Sequence, residues 1–169
     1  MILSEHKIPF KIIVPNVDEV TLASPIETAL TNAQLKAENV FKDCPNELIL
    51  ASDTVVAVDD LVLGKPQDED DAKRILNLIS DKRQAVISAY CLMAPNIKII
   101  DYDTTWVTMR EITAEEINDY IGSGEPFGKA GAYAIQENGD KFVTKIEGSF
   151  NNVVGLPIEK IIIALNKLH

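Results

Sequence analysis

Ala51-Ser52-Asp53-Thr54-Val55-Val56, followed after a short turn by Gly64-Lys65-Pro66, is the stretch on which both fold and chemistry turn. Leu48 to Ser52 has the length and apolar character of a buried strand, and it puts Asp53 where the backbone is expected to leave the sheet. Ligands of open α/β sheets gather at such places. A carboxylate there can hold a divalent cation or take a proton from water, and a lysine in the next loop can neutralise a phosphate. The same residues also suit an Asp-Thr turn opener and a plain Gly-Lys-Pro loop, so taken alone they leave both readings open.

Working outward, the 169 residues suit one domain, 1–169, with room for a real core. A hydrophobic content of 46% with 25% charged residues is that of a globular chain, and no linker, repeat or low-complexity tract divides it. No apolar run approaches the roughly 20 residues of a membrane span. Residues 1–14 lack the basic start and small-residue cleavage site of a signal peptide, so the expected location is the cytoplasm, with no membrane partner. The formal net charge of −10 argues against long nucleic acid. A small anionic substrate stays open if local lysines or a divalent ion receive it. Cys44 and Cys91 lack metal-type spacing, and His6 and His169 lie near the termini, which argues against a zinc site or a histidine-based triad. Catalysis then falls to carboxylates, lysines, amides and metal.

Along the chain, Ile8 to Val14 is expected to form a strand interrupted at Pro9. Ser24-Pro25-Ile26-Glu27 carries an N-cap, a first-turn proline and a capping-box glutamate, and Ile26, Leu30, Ala33, Ala37 and Val40 or Phe41 supply the apolar face of a helix running to about Phe41. Strands are expected over Leu48 to Ser52 and Val55 to Val58, with a turn at Asp59-Asp60. Asp68 to Asp71 open a second helix at its positive dipole end, with Ala72, Ile75, Leu76 and Ile79 inward. Gln84 to Ala94 and Ile97 to Met109 form a hairpin pattern around Pro95-Asn96. Thr113 to Glu116 begins a short helix that stops at Gly122. The loop from Gly122 to Gly131 carries four glycines, which suits close backbone approach to a ligand and equally a plain loop. Ala132 to Gln136 and Lys141 to Ile146 have strand character. Pro157 starts a final helix with Ile158, Ile161, Ile162, Leu165 and Leu168 inward. The sum is a mixed α/β domain.

Taken in order, Ala51 to Val56, Gly64-Lys65-Pro66, Gly124-Glu125-Pro126, Lys129-Ala130-Gly131-Ala132-Tyr133-Ala134-Ile135-Gln136 and Val153-Val154-Gly155-Leu156-Pro157 resemble the Maf family of nucleoside triphosphate pyrophosphatases. The resemblance covers roughly residues 8 to 168. It implies an α/β fold of the inosine-triphosphatase-like kind, with a central mixed β-sheet flanked by helices and a cleft between two lobes. It also implies hydrolysis of a nucleoside triphosphate to monophosphate and pyrophosphate with a divalent cation, magnesium or manganese. A homodimer is a candidate assembly.

Carried over by position, Asp53 corresponds to the family's proton acceptor and metal-proximal carboxylate, with Glu19 as its acidic partner and second metal ligand. Lys65 and Lys36 correspond to phosphate-binding lysines that offset charge on the pyrophosphate leaving group. Lys129 joins the same substrate-binding set. Lys36 read by itself is equally a solvated helix lysine. Thr54 and Gln136 match the branch acting on dTTP and UTP; a glutamine amide offers the donor and acceptor that a uracil or thymine edge requires. Gln136 is alternatively a strand-end residue satisfying loop backbone. Two departures accompany the match. Nothing in the chain aligns with the family's first strand and Ser-x-x-Arg loop, and Gly128 stands where the family has an aspartate. These leave open a longer reading frame, or a weakly active nucleotide-binding protein with a regulatory role in cell division.

Overall fold

The longest runs of β-branched and apolar residues pair into a five-stranded sheet. β1 (Ile49–Val58) turns at Asp59-Asp60 into the short β2 (Leu61–Leu63), β3 (Arg83–Ala94) turns at Pro95-Asn96 into β4 (Ile97–Met109), and β5 (Val143–Glu147) forms one edge. The computed structural model describes residues 1–168, so His169 lies outside the described residues. Strand order is β2-β1-β3-β4-β5. Both hairpin turns follow local chemistry: Asp59 and Asp60 take φ of 50° and 64°, as a type I′ turn requires, and Asn96 takes 62° after Pro95.

Side-chain alternation sorts the two faces of this sheet. Ala85, Ile87, Ala89, Cys91 and Met93 of β3 point to α2 (Pro25–Asp43) and meet Ala29, Ala33, Ala37 and Val40. The three alanines have no exposed surface, and their small size lets the helix lie close on β1 and β3. Cys91 sits in this layer with burial pushing its thiol up to about 11, and neither cysteine is in a disulfide. On the opposite face, Val56, Val58, Val86, Val107 and Met109 pack with α3 (Glu69–Ile79) and α4 (Ala114–Gly122). Tyr90 and Leu92 pack with α6 (Ile158–Asn166) and with Ile2 and Leu3 of α1 (Ile2–Glu5). The short α5 (Phe150–Val154) lies between β5 and α6 in the chain and contacts β3 and β4.

Several expectations change. Ile8 to Val14 forms no strand; Pro9 and Pro15 remove amide donors at both ends, and Ile12 and Val14 are exposed. The two short strands around Asp53 are one, because the ladder to β3 runs unbroken from Ile49 to Ala57. Asp53 is therefore mid-strand. The sheet is antiparallel at every pairing rather than mixed, since two hairpins and the β1–β3 and β4–β5 pairs account for all its neighbours. Ala132 to Gln136 is not a strand, because Gly131 and Ala132 adopt φ of 73° and 60° and close a 3₁₀ turn. The apolar face of α2 centres on Ala29 as well as Ala33, with Ile26 and Leu30 only partly buried beside it. The last helix ends at Asn166, so Leu168 lies beyond it.

The start of α4 ties the α3/α4 layer down. Thr113 and Glu116 complete a capping box, and Arg110 grips the same carboxylate through two nitrogens at 2.9 and 2.7 Å. The Arg110 hydrogen bonds, with help from the Thr113 amide, hold the Glu116 carboxyl down at about 2. A depressed folded pKa means the stabilisation is present above the unfolded carboxylate value and lost as pH falls through the folded one. Thr113→Ala should cost about 1 kcal/mol. For Glu116→Gln, the deficit in melting temperature against the unaltered protein should be full above about pH 4.3 and shrink as pH falls toward 2; a deficit independent of pH would remove Glu116 ionisation from the account.

Candidate active site

Beside its alanine rail, α2 carries a polar stripe: Thr28, Asn32, Lys36 and Asn39, at steps of four, four and three residues, lie along one side of the helix. Thr28, Asn32 and Asn39 bind the backbone of the segment before the helix, which belongs to no helix or strand. Asn32 Oδ1 accepts from the Val20 amide at 2.9 Å and its Nδ2 donates to the Val20 carbonyl at 3.0 Å. Asn39 treats Asn16 the same way at 3.0 and 3.3 Å, and Thr28 accepts from the Leu22 amide at 2.9 Å. Glu19 is thereby held over the helix.

Asp53 points to the same stripe. Its side chain is 7% exposed; Oδ2 accepts from Asn32 at 3.2 Å and Oδ1 meets Lys36 Nζ at 2.5 Å. Lys36 reaches Glu19 at 2.8 Å, and Glu19 reaches Lys65 at 3.3 Å. Four of the residues singled out from the sequence thus form one alternating chain, Asp53–Lys36–Glu19–Lys65. Burial pulls the Lys36 ammonium down, but its hydrogen bonds to Asp53 and Glu19 outweigh that and hold it above the ordinary lysine value. The Lys36 hydrogen bond holds Glu19 below the ordinary carboxylate value against the opposing effect of burial. Lys36 is no solvated helix lysine: its side chain is 17% exposed, against 54% for Lys65.

Lys36, Asp53, Thr54, Lys65, Lys129 and Gln136 all line one cavity of about 370 Å³. The cavity opens at the outer edge of β1, where residues 49–55 have no strand partner among the described residues because β2 begins to pair only at Val56. The loops bearing Lys65 and Lys129 are stitched together by a hydrogen bond from the Gly131 amide to the Gly64 carbonyl at 3.3 Å. A Cβ on Gly131 would lie 3.0 Å from the Val56 side chain, so this glycine serves close packing on β1 rather than approach to a ligand. Lys129 pairs with Glu137 at 3.3 Å. Gln136 is exposed at the cavity mouth and makes no side-chain hydrogen bond among the described residues. Gly128 lines the cavity with φ of 77° and open space where a side chain would begin.

Asn32 was not legible as a site residue, although the 4-4-3 spacing of polar residues along α2 was there to find. Ser52, inside the opening motif but given no role there, and Ser88, which lies in no motif, connect the cavity wall to neighbouring backbone through their hydroxyls. Glu19 does not itself line the cavity; the two lysines join it there.

The Maf family profile, described as "Maf-like protein", matches residues 1–168. Three relatives are named dTTP/UTP pyrophosphatase. That of Koribacter versatilis is 42% identical over 95% of this chain and 84% of its own length, that of Caldicellulosiruptor saccharolyticus 39% identical over 99% and 88%, and that of Bacillus cereus strain ATCC 14579 38% identical over 95% and 85%. The chain belongs to the Maf family.

The contrast between the two lysines is testable by melting. Lys36→Met leaves two carboxylates facing each other without their cation, one of them buried, and should destabilise by about 3 kcal/mol. Lys65→Met, at an exposed pair, should change stability by less than about 1 kcal/mol. Equal effects would show that burial does not distinguish them. Asn32→Ala should abolish exchange protection of the Val20 amide while leaving amides of β3 protected; continued protection at Val20 would mean that the Glu19 segment is held by other contacts.

Proposed function

We propose that this chain hydrolyses dTTP and UTP to the monophosphate and pyrophosphate, the activity in the names of its relatives. The observation that carries this reading is the ion-pair chain Asp53–Lys36–Glu19–Lys65 on a cavity that also holds Thr54 and Gln136. Its volume suits a nucleotide-sized ligand.

Each residue has work that its surroundings fit. Lys65 and Lys129 each touch a single, partly exposed carboxylate at 3.3 Å, so a triphosphate can take either lysine from its partner and gain a charge-assisted hydrogen bond. Lys36 stays charged between two carboxylates and offsets negative charge developing on the leaving pyrophosphate. Asp53, oriented by Asn32 and Lys36, accepts the proton of a water molecule attacking the α-phosphorus. The new bond from water oxygen to phosphorus forms as the bond to the bridging oxygen breaks, and the electron pair leaves with pyrophosphate. Gln136, exposed and free of side-chain partners among the described residues, offers its amide N–H to the O4 carbonyl of the pyrimidine edge.

Asp53 and Glu19 also suit a magnesium or manganese ion by donor type, since both offer hard carboxylate oxygens. Among the described residues no three His, Cys, Asp or Glu side chains converge, so phosphate oxygens and water would complete the shell, a common arrangement for magnesium. When bound, the ion would neutralise phosphate charge and acidify a bound water. Gly128 favours the second reading, a nucleotide-binding protein without turnover, because it leaves no carboxylate on that part of the cavity wall.

Pyrophosphate release from a nucleoside triphosphate panel decides between them. UTP and dTTP should be hydrolysed with magnesium or manganese and give no free phosphate; nucleotide binding without product would favour the second reading. Asp53→Asn should lower kcat by about 10² to 10⁴ with the fold retained, and near-normal turnover would reject Asp53 as the base. Gln136→Ala should cost about 1 to 3 kcal/mol in kcat/KM for UTP and dTTP and less for purine triphosphates; equal losses for all bases would make Gln136 a support of the loop.

A further inference from the structure

Thr54 leaves β1 on the face opposite Asp53, directly across from Ser88 of β3, and the two hydroxyl oxygens are 2.7 Å apart. Either could donate in isolation. The next bond in line decides the matter: Ser88 Oγ also lies 2.7 Å from the backbone carbonyl of Asn152, which has no proton to give. Ser88 has a single hydroxyl proton and is fully buried, so that proton goes to the Asn152 carbonyl. Thr54 must then donate to Ser88. The Asn152 carbonyl is itself fixed, because the buried Asn152 side chain donates to the Val86 carbonyl at 2.9 Å and to Thr105 at 3.1 Å.

Thr54 Oγ1 is left with lone pairs only. The residue is half-buried on the cavity wall, and Gly155 faces it: a Cβ there would come to 3.3 Å from Thr54 Oγ1, so the glycine leaves that oxygen uncovered. Ser52, on the same face and the same cavity, repeats the arrangement. Its one proton faces two carbonyls, Ala89 at 2.7 Å and Gly155 at 3.0 Å. This stretch of wall presents hydroxyl oxygens whose protons are already committed.

We propose that Ser88 is a positioning residue that fixes Thr54 as a hydrogen-bond acceptor, so that the cavity selects pyrimidines with a protonated N3, uracil and thymine, over cytosine, whose N3 is a lone pair. The inference rests on the pyrophosphatase reading and adds a specificity device to it. A hydroxyl free to rotate would serve either base; one locked as acceptor meets the cytosine N3 with two lone pairs in opposition.

The test compares kcat/KM for UTP and CTP in the unaltered protein, Ser88→Ala, Ser88→Thr, Thr54→Val and the double variant S88A/T54V, with melting curves to establish folding. The unaltered protein should prefer UTP. Ser88→Ala frees the Thr54 proton, and the UTP/CTP ratio should fall by about tenfold, the size one mispaired hydrogen bond carries. Ser88→Thr should restore the ratio, and adding S88A to T54V should leave the ratio of T54V unchanged. An unchanged ratio in Ser88→Ala, or an equal loss for both nucleotides, overturns the proposal while UTP turnover by the unaltered protein upholds the pyrophosphatase reading. No pyrophosphate from UTP in the unaltered protein overturns both. If Ser88→Ala does not fold, Ser88→Cys keeps the shape with a slightly larger atom and weakens both hydrogen bonds, and an unchanged ratio there overturns the proposal equally.

Discussion

Lys36 and Asp53 form an ion pair with little solvent around it, between the helix that covers one face of the sheet and the strand at the centre of the cavity. Such a pair is expensive to desolvate and persists only where its remaining hydrogen-bonding capacity is met. Here Glu19 takes a second proton of the ammonium, and Asn32 donates to the second oxygen of the carboxylate. The apolar half of α2 makes that geometry attainable: three fully buried alanines lay the helix close to β1 and β3, which brings a lysine on its adjacent side within reach of mid-strand Asp53. The segment carrying Glu19 pairs with no strand and is held instead by paired amide contacts from Asn32 and Asn39. Ion pair, helix seat and loop placement therefore support one another.

The chemistry of the cavity is divided by the two-residue period of a single strand. Asp53 faces the charged side of α2, while on the other face Ser52 donates to the carbonyls of Ala89 and Gly155 and Thr54 meets the hydroxyl of Ser88. Ordinarily residues on opposite faces of a sheet cannot share a ligand. They share this cavity because β2 is only three residues long and, among the described residues, leaves residues 49–55 of β1 without an outer neighbour, so the cavity wraps the strand edge. Charge suited to phosphate and neutral groups suited to a base are in this way set side by side by adjacent residues.

Much of the architecture was legible locally. The N-cap at Ser24, the capping box at Thr113, the acidic cap at Asp68 and the hairpin turns rest on contacts within a few residues, and periodicity marks the faces that α3 and α6 bury. Apart from Ala132 to Gln136, which the local backbone of Gly131 and Ala132 turns, the misread strands are those whose state depends on a distant partner. Ile8 to Val14 has strand composition but no pairing, and Asp53 looked like a strand end because a polar Ser-Asp-Thr interrupts the apolar run, whereas the ladder to β3 carries straight through it.

For the candidate site the same division holds. Residue type and spacing pointed to Asp53 and Lys65, because a carboxylate and a cation have their chemistry whatever their surroundings, and the family resemblance added Glu19, Lys36, Thr54, Lys129 and Gln136. Which of them touch was decided by the tertiary structure alone: the close seat of α2 made Lys36 the bridge between two carboxylates. The direction of the Thr54 hydroxyl bond is a matter of register, since it depends on Ser88 lying opposite Thr54 and on a carbonyl 64 residues further along the chain. A sequence lists donors and acceptors, but a shared proton is assigned only when three groups meet in space.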